Sequence, residues 1–149
     1  VVSSHAIVPN EKIRNVFFHW LAANELDEAH IFAHIATVAA FRKGESWRRQ
    51  LIAYLEDNIR FVEDYCMKNI PNIYPVRPQA SFLVWLNCRQ LHLDHNQLLD
   101  LFIDKAHLAL NDGEMFGPGG EGFMRLNIGT PRELVKQALD QLAVAVRKL

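Results

Sequence analysis

At Pro71 the apolar pattern of this 149-residue chain changes period. From Ser46 the residues Trp47, Leu51, Tyr54, Leu55, Val62 and Tyr65 recur at helical spacing. They predict a helix of about twenty residues, a rod of about 30 Å at 1.5 Å per residue, which the proline stops. After the turn-rich PNIYPVRPQ the period is two. In ASFLVWLNC, Phe82, Val84 and Leu86 alternate with Leu83 and Trp85, so both faces are apolar and the strand belongs in the interior of a sheet. Helix-rich sequence thus gives way to a unit containing strands, with a boundary near residues 44–50 or 70–76.

The other elements follow from the same patterns. VVSSHAIV reads as a short strand closed by Pro9. Asn10 caps a helix from Glu11 whose apolar residues Ile13, Val16, Phe17, Trp20 and Leu21 share one face. A second helix runs from about His30 to Phe41, with Ile31, Ile35 and Val38 along one side, and ends near Gly44. DHNQLLDLFIDKA predicts a helix with Asp94 and Gln97 in a capping-box relation and Leu98, Leu101 and Phe102 buried. HLALN reads as a brief strand, the loop DGEMFGPGGEG leads to the strand FMRLNIG, and Thr130, Pro131 and Glu133 open a closing helix. On that helix Leu134, Ala138, Leu142, Ala145 and Leu149 form the expected stripe. The order is a strand and three helices, then β-α-β-β-α: an α/β chain whose second part is an α+β-like small domain.

Composition excludes several partners. With 16 basic and 17 acidic residues the net charge is −1, which leaves no footprint for nucleic acid or an anionic membrane surface. No run of 18 apolar residues occurs, so the chain reads as soluble. Cys66 and Cys88 have no spacing that suggests a disulfide framework or zinc site, and point to a reducing, cytoplasmic setting. The chain opens without an initiator Met and is expected to be a piece of something longer. The aromatic cluster of Phe17, Phe18, Trp20, Phe41 and Trp47 reads as core, part of it meeting a further domain or a partner subunit.

Gly117, Gly119 and Gly122 match the spacing GxGxxG. A dinucleotide fingerprint needs a helix N-terminus after its glycines, and here a strand follows; Asp112, Glu114 and Glu121 would also repel a phosphate. The loop therefore reads as a turn between strands. In the strand after it, Met124, Leu126 and Ile128 face one way and Phe123, Arg125 and Asn127 the other. An arginine in an apolar strand needs a partner, which is either a structural ion pair or a carboxylate ligand held by the planar guanidinium. His30 and His34 share a helix face but lack the glutamate of HExxH and a third ligand. His92 and His95 read as solvent-facing, and Cys88 as a buried strand cysteine.

ALNDGEMFGPGGEGFMRLNIGTPRE, with ASFLVWLNCRQL, AAFRKGESWRRQLIAYLEDN and SSHAIVPNEKIR, closely resembles the C-terminal part of fold-type-I pyridoxal-phosphate (PLP) enzymes of the aminotransferase class I/II family, nearest to the cystathionine β-lyase-like C–S lyases. The resemblance covers essentially the whole chain and implies that Arg125 binds the α-carboxylate of an amino-acid substrate. It implies that residues 1–45 end the large cofactor domain, 46–71 form a connector helix and 72–149 the small domain, in a homodimeric parent enzyme. The Schiff-base lysine of this family lies in an SxxK segment upstream of the stretch resembling VVSSHAIVPN. None of Lys12, Lys43, Lys68, Lys105, Lys136 or Lys148 has a serine three residues earlier, so the chain alone is expected to hold no PLP and to be inactive. His5 stands where relatives often carry a tyrosine, a departure that blocks transfer of that detail. The alternative is a non-catalytic interaction or regulatory module with the same small-domain fold.

Overall fold

The computed structural model describes residues 6–28 and 30–149. Most of the strand expected at VVSSHAIV, and His5, lie outside the described residues; residues 6–8 are irregular. The chain forms two compact units, Val1–Gln50 and Leu51–Leu149.

In the first unit, helix α1 spans Glu11–Ala23, and Asn10 accepts the Ile13 N–H at 3.1 Å as its cap. Helix α2 spans Ile31–Lys43, and the His30 ring nitrogen Nδ1 accepts the Phe32 N–H at 3.2 Å. No residue of α1 is buried, and of α2 only Ala33 is. The expected core reading of the aromatic cluster fails here: Phe17, Phe18, Trp20, Phe41 and Trp47 are all exposed. So are Ile31, Ile35 and Val38. Their helical spacing is real, but spacing reports only that residues share a face, not that a layer covers it.

Helix α3 runs over Glu45–Asn69, and its residues from Leu51 onward belong to the second unit. A four-stranded antiparallel sheet has the order β1-β2-β4-β3, from strands Tyr74–Val76, Leu83–Asn87, Phe123–Asn127 and Asn111–Asp112 respectively. Strand β2 is interior, as its two apolar faces require. Val84, Leu86, Met124, Leu126 and Ile128 share one core with Ile59, Val62 and Cys66 of α3. Helix α4 (His95–Asp100), a wider π-helical turn (Leu101–Lys105) and helix α5 (Arg132–Val146) complete that core through Leu98, Phe102 and Leu139. Helices packed with an antiparallel sheet make this unit α+β, as expected for the small domain.

Three elements differ from their sequence reading. β1 lies in the segment read as turns: Pro75 pairs with Leu86 at the sheet edge, where a missing donor costs no ladder bond. Arg77, just after it, pairs with Glu56 and, at 2.6 Å, with Glu63 of α3. β3 begins only at Asn111, because the preceding residues bond locally: the Leu108 N–H donates to Phe102 O at 2.7 Å and the Leu110 N–H to Leu108 O. In α5 the buried residues are Val135, Leu139, Leu142, Ala143, Ala145 and Val146; Leu142 and Ala145 are buried as expected, while Leu134 and Leu149 are exposed. Helix phase is set by what the helix packs against, and one residue of rotation moves the stripe.

The Thr130 cap and its capping box are also replaced. The first-turn N–H of Arg132 donates instead to the Tyr54 hydroxyl of α3 at 2.7 Å. The Thr130 carbonyl accepts from Asn58 Nδ2, which donates at 2.9 Å to Ile128 O as well. Arg132 Nε donates to Asn58 Oδ1, and its guanidinium lies over Phe61 at 4.8 Å. Asn58 is fully buried, and every polar atom of its amide holds the corner from β4 into α5. Asn58→Leu removes the Asn58 partner of two carbonyls and of Arg132 Nε, and we expect it to cost about 2–4 kcal/mol. Urea denaturation with an unchanged m-value checks this, and a loss within about 0.5 kcal/mol would contradict it. A second tie joins α3 to α5: Tyr65 donates to Asp140, which also takes Lys136 at 2.7 Å. Burial, then this hydrogen bond, pushes the Tyr65 phenol up to about 12, and Lys136 followed by Tyr65 holds the Asp140 carboxyl below its ordinary range.

Candidate functional site

β4 places Arg125 on the face of the sheet opposite the core, as its alternation predicts: Met124 and Leu126 are buried, and Phe123 and Arg125 are half-buried on the other side. Register sets its neighbours. Trp85 of β2 stands across from Arg125 on one side and Asn111 of β3 on the other, forming one row over three strands. Asn111 Oδ1 accepts from Arg125 Nη2 at 2.8 Å. The Phe116 ring centroid lies 4.4 Å from the guanidinium carbon and that of Trp85 lies 6.0 Å away. These rings and one amide fix the guanidinium plane without neutralising it.

The ion-pair alternative for Arg125 is not what is found: among the described residues no carboxylate is within salt-bridge distance of it. Its Nε is buried and lacks a hydrogen-bond partner. A buried donor left unmade costs about 1–3 kcal/mol, so this arginine is held in a geometry that its own chain does not satisfy. Asn127 shares the face as expected, but its amide oxygen accepts the Gly129 N–H at 2.8 Å and is committed to that turn.

The glycine loop has the structure of a turn. Gly117, Gly119 and Gly122 adopt φ of 101°, 94° and 75°, and strand β4 follows them. The Gly119 N–H that a phosphate would need donates to the Glu121 carboxylate at 2.9 Å. A residue the sequence reading missed holds this loop: Arg89 donates from Nε to Glu121 O at 2.9 Å and from Nη2 to Gly119 O at 3.1 Å. Its guanidinium stacks on Phe123 at 4.7 Å. Gly113 and Gly120 approach so closely that a Cβ on Gly120 would lie 2.0 Å from Gly113 O. Trp85 and Phe116, which flank Arg125, also line an open cleft of about 340 Å³ together with Val76, Pro118, Phe123 and the loop glycines. The resemblance marks the loop from Asn111 to Gly122 as a whole, but linear sequence assigns no role to Arg89, Asn111 or Phe116 individually, because those roles depend on cross-strand register and loop closure.

The remaining candidates resolve differently. His95 is not simply solvent-facing: its ring nitrogens lie 3.0 Å from Glu114 and 3.6 Å from Asp112, on the segment that carries Phe116. Burial pushes both cysteine thiols up to about 12; Cys88 is buried as expected, but it lies just after β2, at the start of a short 3-10 turn, and not in the strand. Among the described residues no cluster of His, Cys, Asp or Glu is placed to hold a metal ion. Among the described residues, too, no helix is long and apolar enough to cross a membrane. All six lysines are exposed; Lys105 pairs with Asp100 at 2.8 Å and Lys136 with Asp140.

This fold is shared with pyridoxal-phosphate enzymes. Cystalysin from Treponema denticola, whose crystal structure contains a pyridoxal 5'-phosphate cofactor, matches with a TM-score of 0.89 at 27% identity, over 95% of this chain and 36% of its own. In sequence the chain is 33% identical to the cystathionine β-lyase PatB of Bacillus subtilis, over 97% of this chain and 37% of that protein. It is 30% identical to protein MalY of Escherichia coli, over 99% of this chain and 38% of that protein. Aspartate aminotransferases are among its relatives as well. No protein-family model matches the chain. The chain spans a little over a third of the length of these curated relatives. Its homologues are therefore cystathionine β-lyases and PLP-dependent aminotransferases, and it matches a C-terminal part of the fold-type-I enzymes.

Proposed function

We propose that Arg125 binds the α-carboxylate of an amino-acid substrate in a PLP-dependent enzyme that carries this chain, and that the enzyme cleaves C–S bonds by β-elimination. The carrying observation is a stacked, half-buried guanidinium that meets no carboxylate of its own and has a buried Nε without a partner. A substrate carboxylate would meet a guanidinium whose charge is unpaired, and the planar fork orients it. Asn111 holds Nη2 in place, and the Phe116 and Trp85 rings stack against the guanidinium and fix its orientation. Elimination is favoured by the lyase relatives; transamination, as in the aspartate aminotransferase relatives, is the second reading.

The residues of this chain do not fit an anchoring role for PLP. Its lysines are all exposed, and the half-buried guanidinium belongs to the carboxylate side of such a site. Bound PLP supplies an electron sink for charge developing on the substrate. This chain supplies orientation. Residues 1–45 would then close the large domain, 46–71 the connector and 72–149 the small domain of a cytoplasmic homodimer, and the chain alone would be inactive.

Borohydride reduction of the PLP-loaded full-length enzyme, followed by peptide mapping, tests the division of labour. The label is expected on a lysine outside these 149 residues. A stoichiometric label on any of the six lysines here would refute it. Release of thiol, ammonia and keto acid from an S-substituted cysteine identifies elimination; transfer of the amino group to an added keto acid identifies transamination.

A further inference from the structure

We propose that Arg89 is a positioning residue for the carboxylate clamp: it grips the glycine loop that holds Phe116 against Arg125, and so sets affinity for the substrate carboxylate without touching it; this rests on the Arg125 reading above. The loop between β3 and β4 has two limbs. The outgoing limb runs through the short turn Glu114–Phe116 and sets the Phe116 ring centroid 4.4 Å from the guanidinium carbon of Arg125. The returning limb, residues 119–122, is bound from outside. Arg89 Nε donates to Glu121 O at 2.9 Å and Nη2 to Gly119 O at 3.1 Å, while the Cys88 N–H donates to Gly122 O at 2.9 Å. Among the described residues, no other side chain from outside the loop hydrogen-bonds this limb.

Backbone contact carries the grip across to Phe116. A Cβ on Gly120 would lie 2.0 Å from Gly113 O, and one on Gly113 would lie 2.1 Å from Gly120 O, so the two limbs touch with no room between them. The Gly113 carbonyl in turn accepts the Phe116 N–H at 3.0 Å. A shift of residues 119–121 is therefore passed through Gly113 to the turn that carries the ring. At the loop tip packing supplies no restraint, since a Cβ on Gly117 or Gly119 would meet nothing within 4 Å. The Arg89 bonds supply it instead. The fit of Arg89 is close: its guanidinium lies 4.7 Å from the Phe123 centroid, and a Cβ on Gly122 would come within 2.7 Å of its Cγ. A planar fork donates to two carbonyls at once, which the point charge of a lysine does less well.

Steady-state kinetics of the PLP-loaded full-length enzyme with an S-substituted cysteine test this. Arg89→Met keeps an apolar stem and removes both donors. It is expected to raise KM about tenfold with kcat changed by less than about twofold and the absorbance of bound PLP unaltered. Misplacing a binding group by about 1 Å costs up to about 10²-fold, and the outgoing limb keeps its own bonds, which sets the effect below that limit. In the Arg125→Ala background Arg89→Met should cost less than about twofold in kcat/KM, because the group it positions is gone. Support for the fold alone would cost the same with or without Arg125. If thermal melting shows Arg89→Met unfolded, Arg89→Lys carries the test, with KM expected to rise about threefold. Wild-type KM in the folded variant, or a loss that multiplies in full with that of Arg125→Ala, refutes the positioning role and leaves the Arg125 reading standing. A loss of less than tenfold for Arg125→Ala alone refutes that reading, and the positioning role with it.

Discussion

Arg125→Ala in the full-length enzyme is expected to lower kcat/KM for amino-acid substrates by about 10³-fold while the absorbance of bound PLP stays in place. Two charge-assisted hydrogen bonds to a carboxylate contribute about 1.5–3 kcal/mol each, and about 1.4 kcal/mol is a factor of ten. Folding should survive the change. Arg125 leaves its Nε buried without a partner, so its removal relieves one unsatisfied donor while giving up the Asn111 bond and the contacts with Phe116 and Trp85. The two effects oppose, and the melting temperature should move by only a few degrees. Arg125→Lys keeps the charge but presents a point cation in place of a fork, so it should recover only part of the loss. Steady-state kinetics beside a cofactor spectrum and a melting curve check all three statements. A decline of less than tenfold in kcat/KM for Arg125→Ala would remove the carboxylate clamp from the account.

Arg125 was legible in the sequence because it lies in a strand of strict period two. Once Met124, Leu126 and Ile128 are assigned to the core, the side of the sheet that Arg125 occupies follows from the pleat. The capping box at Asp94 and Gln97 was legible for a similar reason, since both partners lie within one turn. What could not be read is whatever depends on contact between distant segments. Tyr54 satisfies the first-turn N–H of α5 from 78 residues away, so the local Thr130 signal lost to a tertiary one. β1 holds only three residues, one of them Pro75, too short for periodicity to register. The exposed apolar residues of α1 and α2 show the converse: helical spacing places residues on one side of a helix, and it is the density of aromatics on short helices with little to cover them that points to apolar surface left exposed on this chain.

Asn111→Asp turns the residue that positions the clamp into its competitor. The aspartate has the size of the asparagine and sets a carboxylate where an amide oxygen now lies 2.8 Å from Arg125 Nη2. Attraction between unit charges about 4 Å apart is about 4 kcal/mol at an effective dielectric constant of 20, and exposure at Asn111 reduces it. An internal carboxylate of that strength should raise KM for amino acids by about 10²-fold, with kcat changed much less, because substrate must displace it before binding. Asn111→Ala removes the anchor without adding a rival, so its KM should rise by only about tenfold or less. Two further readouts separate competition from simple damage. Added salt should partly restore KM in the aspartate variant, since the new pair is near the surface. In the Arg125→Ala background Asn111→Asp should cost nothing more, because the charge it competes for is gone. Equal losses for Asn111→Ala and Asn111→Asp, or full additivity with Arg125→Ala, would show that Asn111 acts on the fold and not on the guanidinium.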